Sequence, residues 1–303
     1  KRVSELWARF NEVAIHNPNA WIQDAFTSEE IRTPTDTNRR ISFPYTKMMN
    51  ANMVVDMGAA IILCSVEKAK ELGIPEEKWV YPMAGVQGYD HFSASVRDNF
   101  HSSPGLGLVG KRVMELAKVS PEDIDYVDLY SCFPSAVQIA ANELGFHEER
   151  PLTVTGGLTF GGGPLNNYVM HAVARTVELL RETTGKKAFV SANGGNLYKH
   201  VHCVYSSQAP EEPFQYENIQ QEIDALPSRM CLSEHSGKVE VESYSVMYTE
   251  DKPAVAHCAG LTSDGARVWS NCYDEDVLHD MTQMEFCGRT AVIRRDGTIG
   301  SFS

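Results

Sequence analysis

The chain has 303 residues, 43% of them hydrophobic and 22% charged, with a net charge of -13 and a pI near 5.2; this is the composition of a globular protein long enough for more than one domain. The acidic charge argues against nucleic acid as a partner and against an anionic membrane surface, and no apolar run reaches the ~20 residues that span a bilayer. The seven cysteines include no CxxC pair, which argues against a disulfide framework or a zinc site and indicates a reducing compartment, so we expect a cytoplasmic location.

The first 57 residues are predicted to be a loop region that opens with a short helix. Leu6, Phe10 and Val13 would share one face of that helix. A stretch rich in Thr, Pro, Asp and Asn follows and runs to Arg40. Irregular segments of this length inside a compact protein are often functional, so residues 1–57 are a candidate binding region.

Residues 58–119 alternate between strand and helix signals. Residues 58–64 form a short apolar run, which predicts a buried strand, and residues 79–86 are predicted to form another. Between them, residues 65–72 are predicted to form a helix that ends before Gly73. A second helix closes this stretch.

Residues 120–210 show the same alternation with longer helices. Strands alternating with helices at this spacing predict an α/β fold. In chain order the predicted elements are a helix start at residues 120–123, a strand at residues 126–130, a helix from Pro134 to Gly145, a glycine-rich loop at residues 156–164, a helix after that loop, and a strand at residues 188–192.

The character of the sequence changes after residue 210. Residues 211–227 are polar and are predicted to be a linker. Residues 228–303 contain short β-rich runs separated by turn signals, a pattern typical of a small barrel or sandwich. The runs lie at residues 239–248, 254–261, 266–271 and 289–295.

Neither the glycine motif at residues 105–110 nor the spacing of the histidines predicts a cofactor or metal site. Residues 105–110 match the dinucleotide-binding fingerprint GxGxxG, but His-Ser-Ser-Pro precedes them where that fingerprint requires a strand. We interpret them as a glycine-rich entry to a helix. The ten histidines do not cluster at metal-ligand spacing, so no metal is predicted.

The first candidate site is Cys132, within residues 130–134, where a strand turns into a helix. The partial positive charge and the free N–H groups of a helix start lower the pKa of a thiol, so a reactive cysteine is expected there. The alternative is that Cys132 is a small packed residue, which is the commoner fate of a free cysteine.

Two glycine-rich segments complete the candidate set. Residues 156–164 would let the backbone approach a ligand at the start of a helix, and the alternative is a long turn. Residues 191–196 follow a strand, and their backbone N–H groups would suit an oxyanion hole. His200 is a candidate acid or base because histidine titrates near neutral pH, and the alternative is a core or surface histidine.

In this order, these segments resemble the C-terminal half of a thiolase, and most closely the thiolase-like acetyl-CoA acetyltransferases related to sterol carrier protein thiolases. The stretch from about residue 41 to residue 205 carries the resemblance. PYTKMMNANMVVDMGAAIILCS is similar to the end of a pantetheine loop entering a core strand, and YVDLYSCFPSAVQIAANELG is similar to the strand and loop with the NEAF motif. GGLTFGGGPLNNYVMHA resembles the GHP loop and FVSANGGNLYKH resembles the CxG loop.

The resemblance implies a layered α/β/α/β/α thiolase fold. The chain would supply the end of the first half with residues 58–119 and the complete second half with residues 120–210. The acyl-accepting cysteine of thiolases would lie in an earlier part that this chain does not contain. Residues 228–303 would form an oligonucleotide-binding-type (OB-like) β-barrel, which accompanies some thiolase-like proteins.

The resemblance also implies a function, an acyl-CoA acyltransferase of the acetyl-CoA acetyltransferase type in lipid and acyl-CoA metabolism. Acyl-CoA would be the substrate, with no covalently bound cofactor, and the partner would be a second copy in a homodimer or a protein bound through the β-domain. The implied catalytic residues are Cys132, Tyr130 and His200, and the implied coenzyme A-binding residues are Asn50, Asn52, Gly162, Gly163, Asn193, Gly194 and Gly195.

The chain departs from the usual thiolase motifs at three positions. Gly163 stands at the histidine of GHP, Ala192 at the catalytic cysteine of CxG, and Tyr130 at the Asn or His that opens the NEAF-type loop. An ordinary thiolase mechanism is therefore not assembled from these residues. Two alternatives stay open: aldolase-type cleavage of a β-hydroxyacyl-CoA with Tyr130 as the base, and a coenzyme A-binding protein without catalysis.

Overall fold

The computed structural model describes all residues from 1 to 303 and divides into two compact units. The first unit consists of residues 1–29, 49–90 and 101–226, and the second of residues 30–48, 91–100 and 227–303. Each unit contains its own β-sheet. None of the helices has the length and apolar character that crossing a bilayer requires.

Strands and helices alternate along most of the chain. The strands are β1 (Arg40–Ser42), β2 (Tyr45–Thr46), β3 (Tyr81–Tyr89), β4 (Tyr126–Asp128), β5 (Lys187–Gly194), β6 (Lys199–Ser206), β7 (Gln215–Asn218), β8 (Cys231–Leu232), β9 (Gly237–Thr249), β10 (Lys252–Leu261), β11 (Arg267–Cys272), β12 (Thr290–Ile293) and β13 (Ile299–Phe302). The α-helices are α1 (Arg2–Ile15), α2 (Ser28–Arg32), α3 (Val66–Glu71), α4 (Pro104–Ala117), α5 (Pro134–Leu144), α6 (Tyr168–Glu182), α7 (Gln220–Asp224) and α8 (Glu275–Met281).

The first unit is built on a five-stranded sheet in the order β4-β5-β6-β3-β7. The β4–β5 and β3–β7 pairs are parallel, and the β5–β6 and β6–β3 pairs are antiparallel. Helix α4 packs against β3 and β6, and α6 packs against β5. The unit is therefore mixed α/β, as the alternating sequence pattern predicts.

This sheet draws strands from three of the segments expected from the sequence. Strand β3 precedes residue 120, and β7 lies within residues 211–227, the predicted linker. Instead of crossing free between two domains, that stretch adds β7 to the edge of the sheet and then forms α7. The sequence pattern also gave no strand at β6, because two histidines occupy its inward-facing positions.

The predicted strand at residues 58–64 is wrong. The whole stretch lacks regular secondary structure, and the side chains of Ile62 and Leu63 are 93% and 77% exposed. An apolar run becomes a strand only when a neighbouring strand pairs with it, and here no strand pairs with these residues. The predicted helix that follows does form as α3, with the Ser65 side chain accepting a hydrogen bond from Lys68 N at 3.2 Å.

Two smaller details of the first unit refine the sequence expectations. Residues 105–110 lie in the first turns of α4, which confirms the predicted glycine-rich entry to a helix. The predicted helix start at residues 120–123 is a single 3₁₀ turn, Pro121–Asp123, closed by a capping box between Ser120 and Asp123.

The second unit is built on an eight-stranded sheet, and the β-rich runs predicted from the sequence are confirmed as β9 to β12. Its main path is β13-β12-β9-β10-β11-β8, with β1 pairing both β9 and β2. Arg267 on β11 is fully buried, and its guanidinium donates to both Glu242 carboxylate oxygens at 2.6 Å. The same guanidinium lies over the ring of Phe100, 4.2 Å from its centroid.

Candidate functional site

Cys132 lies in the short turn between β4 and α5, as the sequence predicts. Its side chain and that of Tyr130 pack against the buried cluster formed by α6 and β5. The Asn193 side chain reaches the same place from the end of β5, with its Nδ2 3.8 Å from Cys132 Sγ. Two of the predicted site segments therefore meet at this thiol.

The pKa of Cys132 is shifted in the direction opposite to the sequence expectation. Burial raises the pKa of this thiol to about 11, and the hydrogen bonds from the backbone N–H groups of Phe133 and Cys132 offset only part of that rise. Burial, and secondarily the charge of a Cys132 thiolate, also raises the pKa of Tyr130. Both side chains therefore keep their protons at neutral pH and are hydrogen-bond donors.

The glycine-rich loop forms a tight π-helical turn over Gly157–Gly161. Gly156, Gly157 and Gly162 have φ values of 98°, 72° and 105°, which residues other than glycine rarely adopt. Another segment of the same chain fills the space beside this loop, since a Cβ at Gly162 would clash with Met57 Sδ. The backbone of this loop is closely approached, as predicted, but by Met57 of the same chain.

Asn50 and Asn52 lie against this loop, about a hundred residues away in sequence. Asn52 N donates to Leu158 O at 3.0 Å, and Gly163 N donates to Asn52 O at 2.9 Å. The hydroxyl of Thr159 donates to Asn50 O at 2.8 Å. The structure thus brings the predicted pantetheine-type segment and the glycine-rich loop together.

Residues 193–200 form the hairpin between β5 and β6. Asn193 pairs with His200 across the ladder and Gly194 pairs with Lys199. Gly195, with a φ of 61°, makes the turn. The Asn193 Oδ1 atom is buried and has no hydrogen-bond partner, so an acceptor close to Cys132 is left unsatisfied.

His200 belongs to a separate cluster. Its ring is fully buried, and Nε2 lies 3.1 Å from Asp90 Oδ2 and 3.3 Å from Ser103 Oγ. Ser103 Oγ donates to the same Asp90 oxygen at 2.6 Å, and Gly105 N donates to Asp90 Oδ1 at 3.1 Å. The hydrogen-bond partners of His200 are therefore Asp90 and Ser103, and Cys132 is not among them.

The sequence reasoning missed a buried carboxylate directly behind the Cys132 turn. Asp128 is fully buried and accepts hydrogen bonds from four groups, the hydroxyls of Thr153, Thr155 and Tyr168 and the backbone N–H of Val154. Burial raises its pKa, and these hydrogen bonds oppose the rise. The signal in the sequence was an acid placed inside an apolar strand, where an unpaired charge is costly.

The chemistry available at the site is hydrogen-bond donation. The Cys132 thiol holds its proton beside the Asn193 amide, and the Tyr130 phenol holds its proton on the same buried cluster; such donors can polarise a carbonyl oxygen. No group of three or more His, Cys, Asp or Glu side chains is arranged to hold a metal ion.

Comparison with known proteins places this architecture. A monomeric SCP2-thiolase-like protein type 1 from Mycobacterium smegmatis superimposes with a TM-score of 0.88 and 33% identity, over 99% of this chain and 66% of that protein. The chain belongs to the thiolase superfamily. Its residues 218–298 match the family of the thiolase-like protein type 1 additional C-terminal domain, and its mixed α/β fold is thiolase-like with a C-terminal β region.

Curated relatives are more distant. An acetyl-CoA acetyltransferase of Methanothermobacter thermautotrophicus is 25% identical over 61% of this chain and 51% of the relative. A 17-hydroxy-3-oxo-4-pregnene-20-carboxyl-CoA lyase of Mycobacterium tuberculosis is 24% identical over 57% of this chain and 47% of the relative. The chain thus spans about half the length of these two thiolase-superfamily relatives.

Proposed function

We propose that this thiolase-like chain binds an acyl-CoA thioester at the Cys132 site and takes part in acyl transfer to or from coenzyme A, as an acetyl-CoA acetyltransferase-type protein of lipid and acyl-CoA metabolism. Acyl-CoA is its small-molecule partner, and no covalently bound cofactor is invoked. The proposed cellular location is the cytoplasm.

The observation that carries this proposal is the group of protonated donors around Cys132. In acyl transfer, an acceptor attacks the thioester carbonyl carbon, the C–S bond breaks, and coenzyme A leaves as its thiol. Negative charge collects on the carbonyl oxygen during attack. The Cys132 S–H group and the Tyr130 O–H group would donate hydrogen bonds to that oxygen, while Asn193 orients the thiol from 3.8 Å.

This assignment differs from the usual thiolase use of a cysteine. A thiol whose pKa is raised to about 11 is almost entirely protonated at pH 7, so Cys132 is a donor and not a thiolate nucleophile. The acyl acceptor is therefore the second substrate.

Two further groups of predicted residues would surround the ligand. The pantetheine-side wall would be supported by the backbone of Asn50, Asn52, Gly162 and Gly163. The turn of the β5–β6 hairpin would be shaped by Gly194 and Gly195.

The test is a pair of measurements with acetyl-CoA. Titration calorimetry should give saturable binding, and an exchange assay should transfer the acetyl group to isotopically labelled coenzyme A. Binding together with exchange supports acyl transfer. Absence of binding by acetyl-CoA and by longer acyl-CoA thioesters would contradict the proposal.

A second candidate function is aldolase-type cleavage of a β-hydroxyacyl-CoA. Tyr130 beside Cys132 favours it, as does the similarity to a protein described as a carboxyl-CoA lyase. The sequence expectation makes Tyr130 the base, but burial raises its pKa and keeps the phenol protonated. The β-hydroxyl proton would therefore pass to water as the carbon–carbon bond breaks, and the phenol would protonate the enolate and regain its own proton from solvent. Release of a free aldehyde or ketone from a β-hydroxyacyl-CoA would favour cleavage over transfer.

A third candidate is coenzyme A binding without turnover, acting through a second copy of the chain or a protein bound through the C-terminal β-domain. It rests on the replacement of the thiolase groups by Gly163 and Ala192. Saturable acetyl-CoA binding with neither exchange nor cleavage would select it. Sedimentation of the chain with and without acetyl-CoA would then show whether binding changes its assembly.

A further inference from the structure

The side chain of Tyr168 lies directly behind the turn that carries Cys132. It is the first residue of α6, it is 1% exposed, and it belongs to the buried cluster against which Tyr130 and Cys132 pack. Its ring meets the ring of Tyr130 edge-on, with centroids 5.5 Å apart and planes at 87°.

Asp128 and Thr155 fix the Tyr168 hydroxyl. The hydroxyl donates to Asp128 Oδ1 at 2.8 Å and lies 2.8 Å from Thr155 Oγ1. The other Asp128 oxygen is occupied by the donors from residues 153–155. The Tyr168 hydroxyl is therefore the donor that satisfies Oδ1 of a fully buried carboxylate, and the phenol has little freedom to move.

Tyr168 does not serve as a proton carrier. Burial and then the neighbouring Asp128 charge raise its pKa well above the ordinary value for tyrosine, so the phenol keeps its proton throughout the working pH range. Its side chain is buried in the cluster against which Tyr130 and Cys132 pack. Ser131 in turn accepts a hydrogen bond from Leu158 N at 3.1 Å, which links the turn to the glycine-rich loop.

We infer that Tyr168, held by Asp128, is a positioning residue of the candidate site that sets the Tyr130 ring and thereby the orientation and shielding of the Cys132 thiol. The inference extends the proposed function, since that function needs Cys132 and Tyr130 held as directed donors. It assigns a role to a buried acid–phenol pair on two different elements, β4 and α6.

The experiment measures Cys132 alkylation, which needs neither acyl-CoA binding nor turnover. The wild type and Tyr168→Phe are treated with iodoacetamide, and the rate at Cys132 is read by peptide mass spectrometry against exposed Cys64 in the same sample. Tyr168→Phe keeps the ring that contacts Tyr130 and removes only the hydroxyl. We expect the Cys132 rate to rise at least fivefold while the Cys64 rate stays within twofold.

Tyr126→Phe is the matched control. It removes a tyrosine hydroxyl from the same strand as Asp128, one that lies 3.3 Å from Thr183 Oγ1 at the other end of the strand. Its Cys132 rate should match the wild type within twofold. A Cys132 rate in Tyr168→Phe that also stays within twofold of the wild type would overturn the inference.

A second variant keeps the inference testable if Tyr168→Phe does not fold. Thr155→Val removes the hydroxyl that contacts both Tyr168 and Asp128 and retains both of those residues. It should raise the Cys132 rate at least twofold, and an unchanged rate would overturn the inference. A chain that fails to bind acetyl-CoA but shows the alkylation differences would contradict the proposed function and leave the positioning role standing.

Discussion

Two polar clusters are built on the same hairpin of the first unit, and they differ in how far their side chains are buried. Asn193 and His200 are opposite each other in the β5–β6 ladder. Asn193 reaches Cys132 in a partly buried turn, with an amide oxygen that has no partner. His200 enters a sealed, fully buried cluster in which Asp90 accepts from Ser103 and from the backbone of Gly105, and in which His200 Nδ1 has no hydrogen-bond partner.

The comparison teaches that residue identity alone does not mark a reactive site. Ser103, His200 and Asp90 are the residue types of a hydrolytic triad, yet both the serine and the histidine bond the same Asp90 oxygen, so the histidine does not lie between the other two as a base must. Cys132 has no such relay, and it lies in a partly exposed turn with its thiol beside the Asn193 amide. We therefore assign stability to the His200 cluster and chemistry to the Cys132 cluster.

The largest expected effect tests the stability side. Asp90→Ala removes the acceptor of Ser103, of Gly105 N and of His200 in a buried place, and we expect it to lower the free energy of unfolding by about 3 kcal/mol. Urea denaturation followed by circular dichroism measures this. Glu71→Ala is the control, because its ion pair with Lys68 is exposed and should contribute less than about 0.5 kcal/mol.

A loss of acyl exchange in Asp90→Ala beyond the loss of folded protein would break the comparison. Exchange per folded molecule is expected to stay within about threefold of the wild type. A hundredfold loss at wild-type stability would move the chemistry to the His200 cluster.

Cys132→Ala tests the chemical side. Removing one directed donor to a developing oxyanion typically lowers the rate about a hundredfold, and we expect that loss in the exchange assay. Cys203→Ala is a matched control, because burial also raises the pKa of the Cys203 thiol to about 11 and this residue lies on β6. A Cys132→Ala variant that exchanges at the wild-type rate would reduce Cys132 to a packing residue.

Part of the fold could be predicted because its signals are local. Pro134 and Gly145 mark both ends of α5, and the predicted helix and the observed one agree. The strand at residues 58–64 could not be judged in this way, since strand formation depends on a pairing partner elsewhere. Strand β6 was missed because His200 and His202 replace the apolar side chains expected at inward positions.

The candidate site, like the fold, could be predicted only where its features depend on residues close together in the sequence. The position of Cys132 at a strand-to-helix turn follows from nearby residues, whereas its pKa depends on burial by α6 and by Asn193, which are distant in sequence. Asp128 was visible as an acid in an apolar strand, but its donors Thr153 and Thr155 come from another loop. Local chemistry was predictable and the surrounding contacts were not.

His202 predicts a pH dependence of stability for the buried side of this comparison. It lies two residues after His200 on β6 and is also fully buried. Burial, then the His200 charge, lowers its pKa well below 6.5, and neither ring nitrogen has a hydrogen-bond partner. The folded chain therefore keeps His202 neutral while the unfolded chain takes up a proton below pH 6.5. The contribution of neutral His202 to the free energy of unfolding is therefore complete above pH 6.5. It is lost as the pH falls below 6.5, by about 1.4 kcal/mol per pH unit.

His202→Phe should flatten this acid slope by about 1.4 kcal/mol per pH unit between pH 6.5 and 5. The ring it introduces fits the edge-on contact that His202 makes with Phe189 at 5.1 Å. Urea midpoints measured across that range give the slope. The comparison at pH 8, where the unfolded histidine is also neutral, separates packing from titration, and an unchanged acid slope would show that His202 does not titrate as proposed.

The smallest expected effect is at Asn193, where the two clusters share a strand pair. Asn193→Ala removes the amide that contacts Cys132 Sγ and the unpartnered Oδ1 beside it. Loss of about 1 kcal/mol of hydrogen bonding corresponds to about a fivefold weaker acetyl-CoA Kd, measured by calorimetry. Asn196→Ala, at an exposed position of the same turn, should leave the Kd unchanged. If both variants bind acetyl-CoA as tightly as the wild type does, the unpartnered Oδ1 of Asn193 is not part of the ligand site. The Cys132 and His200 clusters would then differ in burial but not in ligand binding by this amide.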